Sequence, residues 1–341
     1  NRIPKTQIPD FIAAPVSEFL WYQALKQIDP TLQVAETDPS KLRLILGLGR
    51  SGTTWIARVL AETSTPIRFV EEPLPRLRPK INLFSHPVDS SAIGYAKSIS
   101  PNHPLIKSYE ILTVNKYDWE KIKLKPTVKR DDKNWKLCLV KEVHALLATE
   151  AILNNLKSPS VIVTRNPLYS VDSLFYRDGQ NSPYLYLEKI KLRNKLFLSK
   201  FCTLDVINKV NEICIKYDKF DRQSMIVQQV LAQALIQRML IQIAQNNPNS
   251  KLVKYEDICH HPYEVFSEIF KFLGLAWDEK SESFLHSTLY QEEKRQSSDY
   301  FKTVSRDTTK QVNRNFKFLT SEEVNLCEMI LEDIKFYKFT Q

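Results

Sequence analysis

The chain has 341 residues, of which 43% are hydrophobic, and its 48 lysines and arginines against 39 acidic residues give a formal net charge of +9. A chain of this kind buries a sizeable core and suits a ligand with several negative charges, but it has no Lys and Arg run interleaved with aromatics to indicate nucleic-acid binding. The 5 widely spaced cysteines, and the lack of any apolar stretch near ~18 residues, exclude a disulfide framework, a zinc site and a membrane span, and predict a cytoplasmic protein with reduced thiols.

The first 40 residues precede the first predicted strand. Scattered prolines predict an arm along the surface over 1–15, and apolar residues at helical spacing predict a helix over 16–28 that packs on the core. No secretory signal pattern opens the chain, which agrees with the cytoplasmic prediction.

A strand, a glycine-rich turn and a helix then follow one another directly. The strand is predicted over 42–47 and the turn over 47–52, and apolar residues recur at i, i+3 and i+4 from Trp55 onward. Such a unit brings free backbone N–H groups and the positive end of a helix dipole to one point. The sequence therefore predicts a phosphate-binding loop.

Two common phosphate-binding patterns match this turn in part. The spacing G-x-x-x-x-G is that of a nucleoside-triphosphate loop, but Thr53 and Thr54 replace the Lys-Ser or Lys-Thr that would reach the outer phosphates of ATP. The spacing G-x-G-x-x-G is that of a dinucleotide loop, with Glu71 and Glu72 about 20 residues further on. Arg50 and the hydroxyl groups of the turn suit a terminal phosphate monoester better than a pyrophosphate. A nicotinamide oxidoreductase and a P-loop kinase remain alternatives.

The next strand, over 67–71, is followed by an acidic residue and a long irregular segment. Glu72 lies at the carboxyl end of this strand, where sites gather in open α/β sheets, and Glu71 is expected to point the opposite way if the strand continues. The proline-rich segment 73–136 is predicted to be irregular. Long segments of this kind are usually functional or act as lids, so we assign it to the acceptor side.

A short buried strand over 137–141 ends beside two candidate catalytic residues. Lys141 closes the strand, and His144 opens a helix predicted over 145–156. A structural role is the alternative for each: a cap or packing residue for His144, and a surface ion pair with Glu142 or a neighbour for Lys141.

A second strand–loop–helix unit follows. Its strand, over 160–164, ends at Arg165, Pro167 suits the first position of a helix, and Ser173 projects from that helix. The unit predicts a second anion-binding site, because a positive charge again stands at the end of a strand.

The remaining sequence adds helices and one more strand. Two long helical patterns lie within 183–246, a strand is predicted over 250–254, and a helix over 320–336 begins at Thr320 or Ser321 as its cap. The segment 178–220 has no recognisable motif and is assigned, like 73–136, to the acceptor side.

The adjacent residues His260 and His261 are a candidate metal pair. They have no third ligand at a useful spacing, and Pro262 follows them. We therefore expect a turn before a helix here and no metal site.

Three blocks of the sequence resemble the sulfotransferases that use 3′-phosphoadenosine 5′-phosphosulfate (PAPS). The run Gly-Arg-Ser-Gly-Thr-Thr-Trp, at 49–55, resembles the loop that holds the 5′-phosphosulfate. The unit 160–173 is similar to the one that holds the 3′-phosphate, and 252–258 with 270–274 look like the late strand and helix of the family. The resemblance extends over about 42–72 and 137–275.

The resemblance implies a set of donor-binding residues. They are Arg50, Ser51, Gly52, Thr53, Thr54 and Trp55 in the first loop, Arg165 and Ser173 in the second unit, Tyr255 after the late strand, and Arg306 in the C-terminal basic stretch. Arg306 is one choice among several basic residues of 305–317, because the Arg-Lys-Gly of the cytosolic branch is missing. Many cytosolic members have Lys in place of Arg50, whereas the bacterial and carbohydrate-acting branches more often have Arg.

The resemblance also implies the catalytic groups, for a reaction that does not require a metal. Glu72, followed by Pro-Leu, resembles the acceptor-facing glutamate of carbohydrate sulfotransferases. His144 resembles the catalytic histidine of cytosolic members, although it stands three residues after Lys141 instead of two. Arg50 and Lys141 would stabilise the leaving phosphate and the sulfuryl group. Glu72 and His144 both remain candidates for the base.

The predicted fold is α/β, with three layers (α/β/α) around a central, mostly parallel sheet, in a single domain over 1–341. The predicted function is transfer of a sulfuryl group from PAPS to a hydroxyl, or an amine, of a small-molecule or sugar acceptor, with PAP as the product. A non-catalytic nucleotide-binding relative is a further alternative if neither Glu72 nor His144 acts as a base.

Overall fold

The structure is a computed structural model that describes residues 37–73, 101, 104–114, 127–178, 195–219, 221–289 and 315–339. Its strands are β1 (Leu42–Gly47), β2 (Ile67–Glu71), β3 (Thr127–Asp131), β4 (Leu137–Glu142), β5 (Ser160–Thr164) and β6 (Ser250–Lys254). Its α-helices are α1 (Thr53–Ala61), α2 (Pro104–Glu110), α3 (Thr149–Leu156), α4 (Pro167–Asp178), α5 (Lys195–Phe201), α6 (Leu204–Lys216), α7 (Arg222–Asn246), α8 (Tyr255–His260), α9 (Pro262–Leu273), α10 (Glu279–Leu289) and α11 (Ser321–Asp333). Short 3-10 turns lie at Pro39–Lys41, Ile111–Thr113, Leu146–Ala148 and Tyr337–Phe339.

The six strands form one sheet in the order β3-β2-β4-β1-β5-β6. All neighbouring pairs are parallel except β2 and β3, which are antiparallel. The five strands predicted from the sequence are confirmed, and so is the mostly parallel α/β architecture.

Side chains of the strands alternate between two hydrophobic cores. In β1, Leu44 and Leu46 face a core that includes α3, α4, α7 and α11, whereas Ile45 faces a second core that includes α1, α8, α9 and α10. Successive side chains of a strand point to opposite faces, so a strand covered on both faces reads as an unbroken apolar run. This explains why β1 carries no hydrophobic alternation in the sequence.

Several predicted boundaries differ from the structure. The segment 73–136 is not irregular throughout, because it contains α2 and β3. No hydrophobic pattern predicts β3, whose residues Thr-Val-Lys-Arg-Asp are mostly polar, as an edge strand tolerates. The long helical patterns of 183–246 contain α5, α6 and α7, and α3 begins at Thr149 after a 3-10 turn, four residues later than predicted. The predicted helix over 16–28 lies outside the described residues.

Two helix starts agree with the sequence. Pro167 is the first residue of α4. Thr320 caps α11 through a capping box, in which its side chain accepts from the amide of Glu323 and the Glu323 carboxylate accepts from the amide of Thr320. Within the described part of the chain, no helix is long and apolar enough to cross a membrane.

Candidate active site

The carboxyl ends of four parallel strands lie side by side on one edge of the sheet. Glu71 of β2 is the register partner of Lys141 in β4, and Leu46 of β1 is the partner of Glu142 in β4. On the other side of β1, Gly47 is the register partner of Val163 in β5. Both predicted anion loops and the predicted catalytic residues therefore emerge along the same edge.

The loop after β1 is held by backbone conformations that are unusual for an L-residue. Arg50 has φ +73° and Gly52 has φ +91°. A Cβ atom at Gly52 would lie 2.3 Å from the ring of Tyr255, so both the φ angle and the space require glycine there. Ser51 donates its hydroxyl to the carbonyl of Leu48 at 2.7 Å, so that side chain shapes the loop.

The N-terminus of α1 carries no side-chain cap. The N-cap residue is Gly52, which has no side chain that could bond to the first amides of the helix. The first amide with a helical partner is that of Ile56, which donates to the carbonyl of Gly52. The amides before it, at Thr53 to Trp55, are the groups that a phosphate at this end of the helix would bind.

The two predicted anion loops contact each other directly. The Arg50 guanidinium donates to the Ser173 hydroxyl from Nε at 3.0 Å and from Nη2 at 2.8 Å. Arg165 donates from Nη1 to the backbone carbonyl of Arg50 at 3.0 Å. The cationic groups that the sequence assigned to separate phosphate sites thus form one cluster.

Arg165 keeps two donor atoms without a partner. The residue is 3% exposed, and neither Nε nor Nη2 bonds to any of the described residues. The guanidinium carbon lies 4.5 Å from the centre of the Tyr255 ring, which packs on its face. Unsatisfied donors on a buried cation are costly, so these atoms point to an anionic ligand as their partner.

The carboxyl ends of β2 and β4, which lie on the opposite side of β1 from β5, carry a bonded trio of ionisable side chains. Lys141, which is buried, donates from Nζ to Oε1 of Glu72, and Nε2 of His144 lies 3.4 Å from Oε2 of the same carboxylate. Glu72 directly follows β2 and has φ +50°, in the left-handed region. Its amide donates to the carbonyl of Lys141 at 2.8 Å, which ties this residue to the end of β4.

The condition under which Glu71 would point away from Glu72 is not met, because β2 ends at Glu71. With Glu72 in the left-handed region, both carboxylates reach the same ammonium group: Oε1 of Glu71 lies 3.9 Å from Nζ of Lys141. Lys129 approaches the other oxygen of Glu71 at 3.7 Å. The surface pair between Lys141 and Glu142 is also excluded, because both side chains are buried and Lys141 bonds to Glu72.

The environment of Glu72 keeps its carboxylate ionised. Burial favours the neutral form, but the hydrogen bond to His144 and the charge of Lys141 outweigh it and lower the pKa of Glu72 to about 2. The two partners occupy one carboxylate oxygen each. In this state Glu72 is therefore a weak proton acceptor and a strong hydrogen-bond acceptor.

A buried aspartate joins the second anion unit to the C-terminal part of the chain. Asp172, beside Ser173 on α4, accepts from the amides of Lys317, Phe318 and Leu319 at 2.7–3.1 Å through Oδ1. Asp172 was not predicted as a site residue, because nothing in its local pattern reveals partners that lie about 145 residues away. Arg306, the predicted C-terminal contact, lies outside the described residues.

The other predicted site residues have mainly packing contacts. Trp55 is buried, donates from Nε1 to Thr288 Oγ1 at 3.0 Å and packs edge-on against Tyr255, with 6.1 Å between ring centroids. His260 ends α8 and His261 precedes α9, as expected of a turn between helices. No three His, Cys, Asp or Glu side chains among the described residues are grouped so that they could hold a metal ion.

Solved structures of sulfotransferases are similar to this chain at low identity. A mouse sulfotransferase complexed with PAP is 13% identical, with 92% of this chain and 91% of that chain covered and a TM-score of 0.41. A Mycobacterium avium sulfotransferase is 13% identical, with 96% and 86% covered and a TM-score of 0.41. A Mycobacterium tuberculosis sulfotransferase is 14% identical, with 92% and 81% covered and a TM-score of 0.38. No curated protein matches the chain by sequence.

The chain also matches a protein-family model over most of its length. The sequence profile described as "Sulfotransferase domain" matches residues 42–326, which is most of the chain and includes both anion loops and the charged trio. The chain therefore belongs to the sulfotransferase domain family and is a PAPS-dependent sulfotransferase.

Proposed function

We propose that this enzyme transfers the sulfuryl group of PAPS to a hydroxyl group of a small-molecule or sugar acceptor, and that His144 is the base. An amine is the less favoured acceptor. The proposal is supported above all by the bonded trio Lys141, Glu72 and His144, which stands on the same sheet edge as the uncapped end of α1.

The residues present fit PAPS, which supplies the sulfuryl group and leaves as PAP. Arg165 has two buried donors without a partner, and Ser173 lies in the same cluster, so we assign the 3′-phosphate to them. The amides at the start of α1 suit the 5′-phosphate. Arg50 lies between these two positions and contributes positive charge to both.

Transfer requires one bond to form as another breaks. The acceptor oxygen bonds to sulfur while the bond from sulfur to the 5′-phosphate oxygen breaks, and the bonding electron pair leaves with that phosphate. Arg50 and the α1 amides stabilise the charge that develops there, and Lys141 stabilises the equatorial oxygens of the sulfuryl group. The acceptor proton passes to Nδ1 of His144.

His144 is favoured over Glu72 as the base because of how the carboxylate is bonded. Both oxygens of Glu72 already face donors, and a pKa of about 2 makes the carboxylate a poor proton acceptor near neutral pH. Glu72 instead orients the imidazole through Nε2. Both side chains are only partly buried, at 20% exposure for His144 and 32% for Glu72, so an acceptor can reach them.

Two variants separate these roles. PAP release from PAPS is measured with a panel of 2-naphthol, 2-naphthylamine, a long-chain alcohol and trehalose, which also identifies the acceptor class. We expect His144→Ala to lower kcat by roughly 10²–10⁴-fold and Glu72→Gln to lower it by a smaller factor, because the imidazole remains. Normal kcat in His144→Ala, with a loss of that size in Glu72→Gln, would assign the base to Glu72.

Calorimetry with PAP, NADP and ATP tests the donor independently of the acceptor. We expect tight binding of PAP and weak binding of the other two. The acidic residue that a dinucleotide site would use for its ribose corresponds to Glu71 or Glu72, and both carboxylates face Lys141 instead. Tighter binding of NADP than of PAP would contradict the donor assignment.

A further inference from the structure

Glu142 is a buried carboxylate at the end of β4 that the sequence reasoning did not assign to the site. It is 0% exposed. Its Oε1 accepts from the amide of Val143 at 2.9 Å and from the amide of His144 at 2.6 Å. One oxygen of this side chain therefore holds the first two peptide groups of the turn that presents His144.

Regular secondary structure does not hold that turn in place. Residues 143–145 lie between the end of β4 and the 3-10 turn Leu146–Ala148, outside any regular element. Inside the protein, an amide without a partner would cost free energy, so the carboxylate supplies bonds that neither strand nor helix provides there. The direction of the His144 side chain follows from the orientation of these peptide groups.

The second oxygen of Glu142 has no hydrogen-bond partner among the described residues. The same holds for the hydroxyl of Tyr109, and both residues are 0% exposed. Burial and then the charge of Glu142 raise the pKa of Tyr109 well above its ordinary value.

Tyr109 is held in place from the sheet. It belongs to α2, and the residues directly after this helix are bonded to Arg68, a buried residue of β2. Arg68 donates from Nη1 to the carbonyls of Leu112 and Val114, at 3.0 Å each. The acceptor-side segment is thus fixed to the same strand that delivers Glu72.

We propose that Glu142 is a positioning residue for His144: its Oε1 fixes the turn that aims the imidazole at Glu72. This inference rests on the proposed role of His144 as the base. Glu142 does not touch the reacting atoms, so its substitution acts through the geometry of the turn.

Three variants of Glu142 and His144 test the proposal. In Glu142→Gln the amide oxygen still accepts from the two peptide groups, whereas Glu142→Ala removes the acceptor. We expect Glu142→Gln to keep kcat for PAP release within about threefold of the wild type, and Glu142→Ala to lose roughly 10²-fold with little change in KM for PAPS. In the double variant with His144→Ala, Glu142→Ala should add almost no further loss, because residues that act as a unit are not additive.

Amide hydrogen exchange supplies a readout that needs no acceptor. The amides of Val143 and His144 should exchange faster in Glu142→Ala and stay protected in Glu142→Gln. Glu150→Ala, which removes a carboxylate bonded to Lys200 on the surface, serves as the control and should keep wild-type activity.

The outcomes separate this inference from the proposed function. Equal losses in Glu142→Ala with and without His144, or unchanged protection of the two amides in Glu142→Ala, would overturn the positioning role alone. Wild-type kcat in His144→Ala would overturn the role of His144 and the positioning role with it. PAP binding, measured in every variant, shows that a loss of kcat does not come from a loss of folded protein.

Discussion

Two site residues adopt backbone conformations that L-amino acids rarely accept. Arg50, in the loop between β1 and α1, has φ +73°, and Glu72, directly after β2, has φ +50°. Both residues lie at the carboxyl edge of the sheet. A left-handed residue other than glycine costs roughly 1–3 kcal/mol and persists only where its surroundings hold it. At both positions the side chain is bonded to other site residues, Ser173 for Arg50 and Lys141 with His144 for Glu72. The hydrogen bonds that accompany these backbone conformations therefore also orient the charged groups of the site.

Arg165 should control donor affinity. Arg165→Ala removes the two buried donors that we assign to the 3′-phosphate, so the KM for PAPS and the Kd for PAP should rise by about 10–100-fold. kcat should change little, since the guanidinium is assigned to a phosphate that does not react. Titration calorimetry with PAP measures the effect. Arg43→Ala, at the start of β1 and bonded to the Leu273 carbonyl, is the matched control; an equal loss in both variants would contradict the assignment.

Glu72 should also contribute to stability in a pH-dependent manner. Its pKa falls from an ordinary value of 4.5 to about 2 on folding. A lowered pKa means that the folded state favours the ionised form, so the contribution is complete above about pH 4.5 and disappears as the pH falls through 2. The difference in Tm between wild type and Glu72→Gln should therefore narrow from about pH 5 to pH 2. A constant difference, measured by calorimetry, would argue against the low pKa.

The loop and helix that follow β1 depend on a single close approach. At Gly52 the chain turns with a positive φ while the Tyr255 ring lies where a Cβ atom would stand. Tyr255 in turn stacks on the guanidinium of Arg165. The absence of a side chain at Gly52 thus lets α1, α8 and the second anion unit meet.

A pair of glycine variants tests this element. Gly52→Ala should lower the free energy of unfolding by more than about 2 kcal/mol, because it combines a left-handed conformation with a clash against an aromatic ring. Gly49→Ala is the control in the same loop, since a Cβ there meets nothing within 4 Å, and its stability should stay close to that of the wild type. Urea unfolding of the two variants measures the difference, and equal stabilities would contradict this account.

The sheet as a whole brings the residues of the site together. Its parallel strands bring β2, β4, β1 and β5 to one edge in that order, so residues from 50 to 173 meet there although the chain separates them widely. The chain carries a formal net charge of +9. A field of this sign attracts an anionic donor before it reaches the buried arginines.

Ionic strength should therefore act on the association rate. Raising NaCl from about 20 to about 500 mM should slow PAP association by roughly tenfold and change its dissociation much less, because salt screens the distant charges and not the buried ones. Stopped-flow measurements of PAP binding give both rates. A salt effect found only in dissociation would show that the overall charge does not guide the donor.

Local signals in the sequence determined the strands of the parallel sheet, both loops and the residues of the charged trio. An apolar run, a glycine turn or a proline at a helix start acts over a few neighbouring residues, and such signals can be read directly. The family then followed from motifs at 49–55 and 160–173.

The tertiary structure alone decided which of those residues contact each other. Because β2 ends at Glu71 and Glu72 has a positive φ, two carboxylates lie beside Lys141, and only the packed fold places Ser173 against Arg50 and Asp172 against the amides of Phe318 and its neighbours. These contacts join residues 69 or more positions apart in most cases, and they depend on strand register and on positive φ angles, for which a non-glycine residue carries no local signal.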